Sequence, residues 1–579
     1  MDDLSRILGG LRIYDGFQVS RSNINVIRET NALMREFIYF TFHQDERPFK
    51  RLRRDLFFSD RDSHVEDFSK LSPPPLPNDL NLSQWDFVQP CIPVQMKHLR
   101  LFNRPAQPMP QRYERHFRRA VAHVTELLTL DKKLPMPTRD SLKDTRYDST
   151  TFPGLEYARQ GMKTRGEAHF TALLDAQRAW NSLSAGVRVP PHDTRLGGLG
   201  KLIKRTGPGG RVDTDQQTSL GRLILMLSHR DLLMLGALEQ PLTKSYLDER
   251  WPIHIGNSWF HGGAERFVNR IANYSIYHCF DAKSFDASID GWLVREALQI
   301  LRQQYEDGMN SRYDTLWEFV YESLVDVIIC RDDGVRMQKH VGTTSGNSFN
   351  SLVQSVITML LGYTSLIVTA HERYFEFGVN LILTQSKIEV LGDDMVMALD
   401  VHWSYLSKEI LAGVVLDCFH ISWFGNKSFT TQKLMDDDST PEHERFKGVQ
   451  FLGMYFRHQR LGTGPYAPKV VVPYRPFSES YMHLLFPKHG RLEVNDAWLR
   501  AIGIFLNGAG NPDTLKWLNE YLNFLETKIT TFPTAWPHSL GKWVAKDFWH
   551  LGSFVPLPRR ISQQEWMQMA CMPARLIEE

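Results

Sequence analysis

The stretch from Lys387 to Leu399 constrains the fold of this chain most, because it places two adjacent acids between two apolar segments. The apolar segments predict two short strands, and Gly392, Asp393 and Asp394 form the turn that joins them. Neighbouring carboxylates at a hairpin tip repel each other unless a cation neutralises them, and a divalent metal is the usual cation. An ordinary Gly-Asp hairpin with solvated acids has the same composition, so this stretch alone leaves both interpretations open.

A second pair of acids follows another predicted strand, Asn273–Phe280. Asp281 stands at the end of this strand, Asp286 comes five residues later, and helical periodicity resumes at Leu293. The pattern predicts a strand, a turn and a helix. A carboxylate at the C-terminal end of a strand is well placed to bind a metal.

The segment before the Gly-Asp-Asp turn is a long apolar stretch that follows a loop of small residues. The loop, Gly342–Gly346, offers hydroxyl and free N–H groups to a phosphate or a ribose, although plain helix capping explains the same residues. The stretch from Ser351 to Ala370 comes closest to the roughly 20 apolar residues that span a bilayer. Because it carries Gln, Ser, Thr and Gly on one side, we predict a buried helix.

Three upstream segments have a composition that suits contact with phosphate groups. Ser149–Gly154 is a loop whose backbone can approach a phosphate chain, although most such loops are only turns. Arg195–Arg211 is Gly-rich and basic, which predicts a flexible phosphate-contacting finger or a mobile surface loop, and its spacing excludes a Walker loop. Leu220–Ser228 is a predicted strand with one arginine, Arg222, in an apolar setting. Such a guanidinium usually needs an anionic partner, which is either a ligand or an acid in a structural salt bridge.

Length and composition limit the class of protein. A chain of 579 residues is too long for one simple core, so we expect several subdomains. A net charge of +2 means that any nucleic-acid surface is a local groove. Five scattered cysteines argue against a disulfide framework or a cysteine zinc site. The proline-rich segment Ser72–Pro77 predicts a stiff, extended strap between subdomains.

In this order, the features resemble the conserved motifs of viral RNA-dependent RNA polymerases, in particular those of double-stranded RNA viruses of the partitivirus and picobirnavirus type. The resemblance covers about residues 145–460. Within this range, Ile421–Phe429 is a predicted strand that bears a single lysine. The matching segments, for motifs A to G, are Asp281 to Asp286 (A), Gly342–Gly346 (B), Gly392–Asp394 (C), Asn426–Ser428 (D), Phe451–Gly453 (E), Gly221-Arg222 (F) and Ser149–Gly154 (G).

The resemblance implies an α+β fold, a right-hand polymerase with fingers, palm and thumb, an antiparallel palm sheet and closure by an N-terminal strap. We expect residues 1–140 to link fingers and thumb. The fingers then comprise 141–270 and 295–345, the palm 271–294 and 346–460, and the thumb with the C-terminal region 461–579.

The resemblance also implies an RNA-directed RNA polymerase that replicates and transcribes a viral RNA genome by two-metal nucleotidyl transfer. Mg²⁺ is the expected cofactor and Mn²⁺ can substitute. The expected partners are template RNA, NTPs and a viral capsid protein, without a membrane, and the expected locations are the virion interior and the host cytoplasm. The implied site residues are Asp281, Asp393 and Asp394 as metal ligands, with Lys427 as general acid; Arg222, Asp286, Ser345, Gly346 and Asn350 for the NTP; and Ser149, Thr150, Pro153 and Gly154 for the template.

Two positions depart from the family pattern after motif B. Many members carry Thr five residues after the motif B serine and Asn four residues further on, whereas this chain has Asn350 and Gln354. Either side chain could therefore read the ribose 2′-hydroxyl, the group that distinguishes RNA from DNA.

Rival functions share part of this chemistry. A reverse transcriptase uses the same metals, but it carries a bulky residue where Asp286 stands. A catalytically inactive RNA-binding virion protein would not need intact Asp281, Asp393 and Lys427. A metal-dependent nuclease also clusters acids, but it requires neither the Ser-Gly loop nor Lys427.

Overall fold

The computed structural model describes residues 32–46, 55–205, 221–247, 250–423, 427–462, 464, 466–488, 492–536 and 558–571. The strands are β1 (Thr41–His43), β2 (Trp85–Val88), β3 (Thr194–Leu199), β4 (Lys201–Lys204), β5 (Arg222–Met226), β6 (Ile276–Phe280), β7 (Ile328–Cys330), β8 (Arg336–Gln338), β9 (Ser386–Leu391), β10 (Asp394–Leu399), β11 (Phe429–Thr431), β12 (Tyr455–Arg460) and β13 (Lys469–Tyr474). The helices are α1 (Ser63–Leu71), α2 (Ile92–Leu101), α3 (Glu114–Leu128), α4 (Leu155–Ala158), α5 (Arg165–Ser184), α6 (His229–Ser245), α7 (Gly263–Ile271), α8 (Phe285–Ser288), α9 (Gly291–Arg302), α10 (Asp314–Leu324), α11 (Asn350–Thr384), α12 (Lys408–Phe419), α13 (Phe477–Leu485), α14 (Val494–Gly508), α15 (Pro512–Glu526) and α16 (Gln563–Cys571).

A four-stranded antiparallel sheet lies at the centre of the molecule, in the order β11-β6-β10-β9. Its two middle strands, β6 and β10, are buried almost along their whole length because helices or loops cover both faces. Met395 and Met397 pack into the core formed with α11, whereas Val396 and Ala398 pack with α7 and Phe451 on the other face. The mixture of helices with an antiparallel sheet agrees with the α+β expectation.

Helix α11 is the main support of this sheet. Its N-terminal part is buried on every side, and a fully buried Leu, Ile or Val contributes roughly 1.5–3 kcal/mol relative to exposure. It is the one helix, among those the structure describes, that is long and apolar enough to cross a membrane, and its apolar stretch lies entirely inside the protein. The prediction of a buried helix over 351–370 is confirmed. The helix is interrupted at Phe375, where φ is 52° and ψ is −148°.

A second sheet has five strands in the order β1-β8-β7-β3-β5. The Gly-rich basic segment supplies most of β3 and all of β4, so the prediction of a flexible finger or mobile loop is wrong for 195–204. These residues pair with β5 and β2, which satisfies their backbone groups. The rest of that segment, 206–211, lies outside the described residues.

The N-terminal segment contacts distant parts of the chain. Strand β1 pairs with β8 and β2 pairs with β4, while α1 packs against α13 and α15. The ring of Phe68 lies 5.0 Å from that of Trp517, whose indole Nε1 donates to the Ser72 carbonyl at 3.1 Å. The start of the proline-rich segment is therefore attached to the C-terminal helices. The boundaries proposed for fingers, palm and thumb stay a prediction.

One predicted strand differs in the structure. Ile421–Phe429 is not a strand over its described residues, because only Phe429 belongs to β11, and Lys427 lies in a turn before it. The Ser428 hydroxyl, just before β11, donates to the Trp423 carbonyl at 2.8 Å. Asn426, which the motif D resemblance includes, lies outside the described residues.

Candidate active site

The Gly-Asp-Asp turn is a two-residue hairpin connection. Leu391 pairs with Asp394 across β9 and β10, so Gly392 and Asp393 alone form the turn. Gly392 has a φ of +62°, a conformation that L side chains rarely adopt, and it occupies the first central position of the turn. The glycine thus permits the tight reversal that places the Asp393 carboxylate at the tip.

Side chains of α11 hold the hairpin tip from below. The Gly392 N–H donates to Ser355 Oγ at 2.9 Å, and Thr358 Oγ1 donates to the Gly392 carbonyl at 2.6 Å. Both backbone groups of the turn glycine are therefore satisfied by one helix. Sequence reasoning noted polar residues on one side of this helix but did not identify this contact.

Strand register brings Asp281 to the same edge as the hairpin tip. Phe280 pairs with Met395 in the antiparallel ladder of β6 and β10, so the next residues along, Asp281 and Asp394, lie opposite each other. The Asp281 N–H donates to Ser428 Oγ at 3.1 Å, which fixes the end of the strand. The carboxylates of Asp281, Asp393 and Asp394 thus lie at one edge of the central sheet.

The electrostatics of this edge favour a cation. Burial raises the pKa of Asp393 to about 6, and the negative charge of Asp281 adds to the shift. Burial also raises the pKa of Asp394 to about 7, with Asp393 contributing next. The Leu452 N–H donates to Asp394 Oδ2 at 2.9 Å and opposes this rise. The Asp394 carboxylate therefore interacts both with the neighbouring acids and with the backbone at Leu452, in the segment that resembles motif E.

Lys427 is the cation that contacts this cluster. Its Nζ lies 2.8 Å from Asp281 Oδ2. Although the Lys427 side chain is largely exposed, partial desolvation works to lower its pKa, but the hydrogen bond and the charge of Asp281 raise it above its ordinary value. The lysine is therefore charged and pairs with the Asp281 carboxylate.

The acids of this edge provide oxygen donors of the kind that a divalent metal binds. Among the described residues, no three His, Cys, Asp or Glu side chains are already arranged to hold a metal ion. One Asp281 oxygen contacts Lys427, and one Asp394 oxygen accepts from the Leu452 N–H. The donors are all carboxylate oxygens, the ligands preferred by Mg²⁺ and Mn²⁺, and a cation already stands beside them. The residues therefore fit such an ion chemically.

Asp286 is the centre of a hydrogen-bonded cluster next to the acids. Its Oδ1 accepts from Gln354 Nε2, from Thr343 Oγ1 at 3.4 Å and from Asn350 Nδ2 at 3.5 Å. Gln354 Nε2 also donates to Thr343 Oγ1 at 2.9 Å. The two alternatives that the sequence left open, Asn350 and Gln354, thus contact the same carboxylate, and Thr343 joins them.

The side-chain oxygen of Asn350 makes no hydrogen bond to the described residues. This atom, Oδ1, is buried. A buried acceptor without a partner is unfavourable, and an incoming hydroxyl would satisfy it.

Ser345 and Gly346 lie against β5. Ser345 Oγ donates to the Leu223 carbonyl at 2.8 Å, and the Leu225 N–H donates to the Ser345 carbonyl at 3.2 Å. These contacts bind the motif B loop to the strand that begins with Arg222. Their predicted role in NTP binding stays a prediction.

Basic side chains approach the acids from β4 and β5. Lys201 is exposed, but partial desolvation lowers its pKa, and the positive charges of Lys427 and Arg222 lower it further, while Asp281 opposes them. The four groups are therefore close enough to interact. Lys201 was not among the predicted site residues, although the basic Gly-rich segment that contains it was noted.

The predicted template residues form a loop fixed at both ends. Ser149 and Thr150 are exposed, and Pro153 and Gly154 are buried. The Gly166 N–H donates to the Ser149 carbonyl at 2.9 Å, and the His229 N–H donates to the Pro153 carbonyl at 2.8 Å. The exposed half is therefore available to a ligand, whereas the buried half positions the loop.

Comparison with known proteins identifies the family. Residues 97–467, more than half of the chain, match the family described as viral RNA-dependent RNA polymerase. The chain belongs to this family. This membership confirms the enzyme class expected from the sequence, an RNA-directed RNA polymerase.

Two curated relatives are genome polyproteins of plant viruses. The genome polyprotein of Beet mosaic virus is 24% identical over 174 residues, which cover 30% of this chain and 5% of the relative. That of Plum pox potyvirus (strain El amar) is 23% identical over 214 residues, 35% of this chain and 12% of the relative. The chain thus matches only a small part of each relative. The partitivirus and picobirnavirus affiliation stays a prediction.

One buried ion cluster of this polymerase-family chain was missed by sequence reasoning. Glu389, in β9, is fully buried and accepts from His254 Nε2 at 2.7 Å and from Arg270 Nε at 2.8 Å. Burial raises the pKa of Glu389, but the hydrogen bond and charge of His254, with those of Arg270, bring it below its ordinary value. The cluster supports the strand leading to the hairpin, and a lone Glu among apolar strand residues was the available signal.

Proposed function

We propose that this chain is an RNA-directed RNA polymerase that replicates and transcribes a viral RNA genome. The observation that carries the proposal is the position of Asp281 opposite Asp394, with Asp393 at the adjoining hairpin tip. Membership of the viral RNA-dependent RNA polymerase family supports it.

Asp281 and Asp393 would hold two divalent metal ions, Mg²⁺ or in its place Mn²⁺, and Asp394 would be an additional or outer ligand. When bound, these ions would activate the RNA 3′-hydroxyl and neutralise the charge on the leaving pyrophosphate. The raised pKa values of Asp393 and Asp394 support this assignment, because uncompensated carboxylates favour a bound cation.

The basic side chains would bind the triphosphate. Arg222 offers a forked guanidinium contact, and Lys201 adds a second positive charge from the neighbouring strand. Lys427 carries a proton while it contacts Asp281. Once it leaves Asp281, Lys427 can donate that proton to pyrophosphate as a general acid.

Asp286 and its partners would select the ribose. Asn350 Oδ1 is available to accept from a 2′-hydroxyl, while Gln354 and Thr343 hold Asp286 in place. A polar site built for a hydroxyl rejects the analogue that lacks it, because its own groups are then left unpaired.

The remaining parts of the proposal extend the motif resemblance. Exposed Ser149 and Thr150 would contact the template strand, with Pro153 and Gly154 fixing their loop. We propose a double-stranded RNA virus as the source, a capsid protein as a further partner without a membrane, and the virion interior and host cytoplasm as locations.

Incorporation of NTP and dNTP by the purified chain on an RNA template tests the proposal. With Mg²⁺ or Mn²⁺, we expect kcat/KM to favour NTP by at least about a hundredfold, as for sites that hydrogen-bond a substrate hydroxyl. Preference for dNTP would instead indicate a reverse transcriptase. Retained RNA binding without incorporation of either would indicate an inactive RNA-binding protein.

A further inference from the structure

Lys339 is a buried lysine between β8 and the motif B loop. It is fully buried, and its Nζ lies within hydrogen-bonding distance of four backbone carbonyls, which share its three N–H groups. Two belong to the end of α10, Leu324 at 2.7 Å and Val325 at 3.0 Å, and two to the loop, Val341 at 3.3 Å and Gly342 at 3.1 Å. A single ammonium group thus joins the end of one helix to the start of the loop.

The loop segment held by Lys339 leads directly to Asp286. The Gly342 N–H donates to the Ile289 carbonyl at 2.8 Å, and the Thr343 N–H donates to the Asp286 carbonyl at 2.7 Å. Gly342 has a φ of +74°, and a Cβ there would lie 2.5 Å from the Asp286 carbonyl oxygen. The backbones are in close contact, so a shift of the loop would move Thr343 relative to Asp286.

Stability alone does not account for a lysine at this position. Burying an ammonium group is unfavourable unless it is fully hydrogen-bonded, and a well-packed apolar side chain is often as stable. Lys339 Nζ lies 5.4 Å from the centre of the Phe102 ring, so an apolar side chain such as Met would have an apolar neighbour. The carbonyl contacts, which Met would lose, are what distinguish the lysine.

We propose that Lys339 is a positioning residue for ribose selection. By holding the Val341 and Gly342 carbonyls against α10, it fixes Thr343 beside Asp286 in the geometry that receives the ribose hydroxyl. This inference rests on the proposed polymerase function. It adds a specificity-determining residue that touches neither substrate nor metal.

Substitution of Lys339 with Met tests this role. In the full chain, Lys339→Met is expected to lower the ratio of kcat/KM for NTP over dNTP by about tenfold, the size of one buried hydrogen-bonding defect. The KM for NTP is expected to rise by about fivefold with kcat changed less than about twofold, because the acids are not moved.

A matched control separates positioning from loss of stability. Gln304→Met also removes a buried polar side chain that bonds backbone groups, the Leu130 N–H and the Ile300 carbonyl, far along the chain from motif B. It is expected to leave the NTP to dNTP ratio unchanged. An equal loss of selectivity in both variants would overturn the inference.

Hydrogen–deuterium exchange provides a readout independent of activity. In Lys339→Met the amides of Gly342 and Thr343 are expected to exchange faster, whereas those of the hairpin tip are not. Faster exchange of these amides in Lys339→Met, combined with no polymerase activity in the wild-type chain, would contradict the proposed function but support the hold of Lys339 on the loop. Unchanged exchange with unchanged selectivity would overturn the role of Lys339.

A second variant covers the case in which Lys339→Met does not fold. Thr344 Oγ1 donates to the Leu324 carbonyl at 2.7 Å, a contact between the same loop and the same helix end. Thr344→Val is expected to lower selectivity in the same direction, by about threefold, since one neutral hydrogen bond is lost. No change in selectivity with this folded variant would contradict the inference.

Discussion

At the scale of single residues, the acids of the candidate site could be predicted because their signal is local. Asp281, Asp393 and Asp394 each lie at the end of a strand whose apolar residues identify it in the sequence. Lys339 and Glu389 could not be assigned in this way. Their partners lie on other elements and depend on how those elements pack.

A buried carboxyl far from the acids gives a prediction about pH. Glu239 in α6 is 8% exposed and accepts from Thr243 Oγ1, and burial raises its pKa from 4.5 to about 7. The folded chain therefore keeps a proton that the unfolded chain has lost. Ionisation of Glu239 therefore lowers the free energy of unfolding as pH rises from about 4.5 to 7, by at most about 3 kcal/mol. Above pH 7 the free energy of unfolding stays lower by this full amount.

The variant Glu239→Gln removes this ionisation. Its Tm is expected to match that of the wild type at pH 5 and to exceed it at pH 8, as measured by thermal unfolding at both values. Glu114→Gln, at an exposed position in α3, is the control and should show no such pH-dependent difference. A wild-type advantage at pH 8 would contradict the assignment.

At the scale of elements, the sequence predicted strands and helices better than it predicted their contacts. The hairpin of β9 and β10 and the buried helix α11 were predicted, but the bonds from Ser355 and Thr358 to the turn were not. The segment Arg195–Arg211 was expected to be a flexible finger or a mobile surface loop because it is rich in glycine. Over 195–204 it forms strands instead, which pairing with β2 and β5 stabilises. Long-range pairing of this kind leaves little trace in local composition.

The contact between α11 and the hairpin tip can be tested by Ser355→Ala. The substitution leaves the partly buried Gly392 N–H without its partner, a defect of at most about 1–3 kcal/mol. We expect a looser tip and a higher Mg²⁺ concentration for half-maximal extension. Ser365→Ala on the same helix is the control, because that hydroxyl donates only within the helix, to Gly362. If both variants have the wild-type Mg²⁺ dependence, the contact does not position Asp393.

At the scale of the whole molecule, the N-terminal segment joins parts of the chain that are far apart in sequence. It contributes β1 and β2 to sheets built from 194–338 and packs α1 on the C-terminal helices. The proline-rich segment predicted an extended connection, but not which elements it joins. Pairing partners such as β8 and packing partners such as Trp517 follow from the assembled fold.

The central claim is that Asp393 acts in a metal-dependent polymerase site of the intact chain. The direct measurement is Mg²⁺-dependent extension of RNA on an RNA template by Asp393→Ala, compared with the wild type and with Asp400→Ala. Asp400 follows the other end of β10 and bonds His402, so it controls for loss of an acid beside the same strand. We predict that Asp393→Ala folds but loses extension to the background, while Asp400→Ala retains it. Metal-dependent incorporation of NTP by folded Asp393→Ala at the wild-type rate would contradict the account.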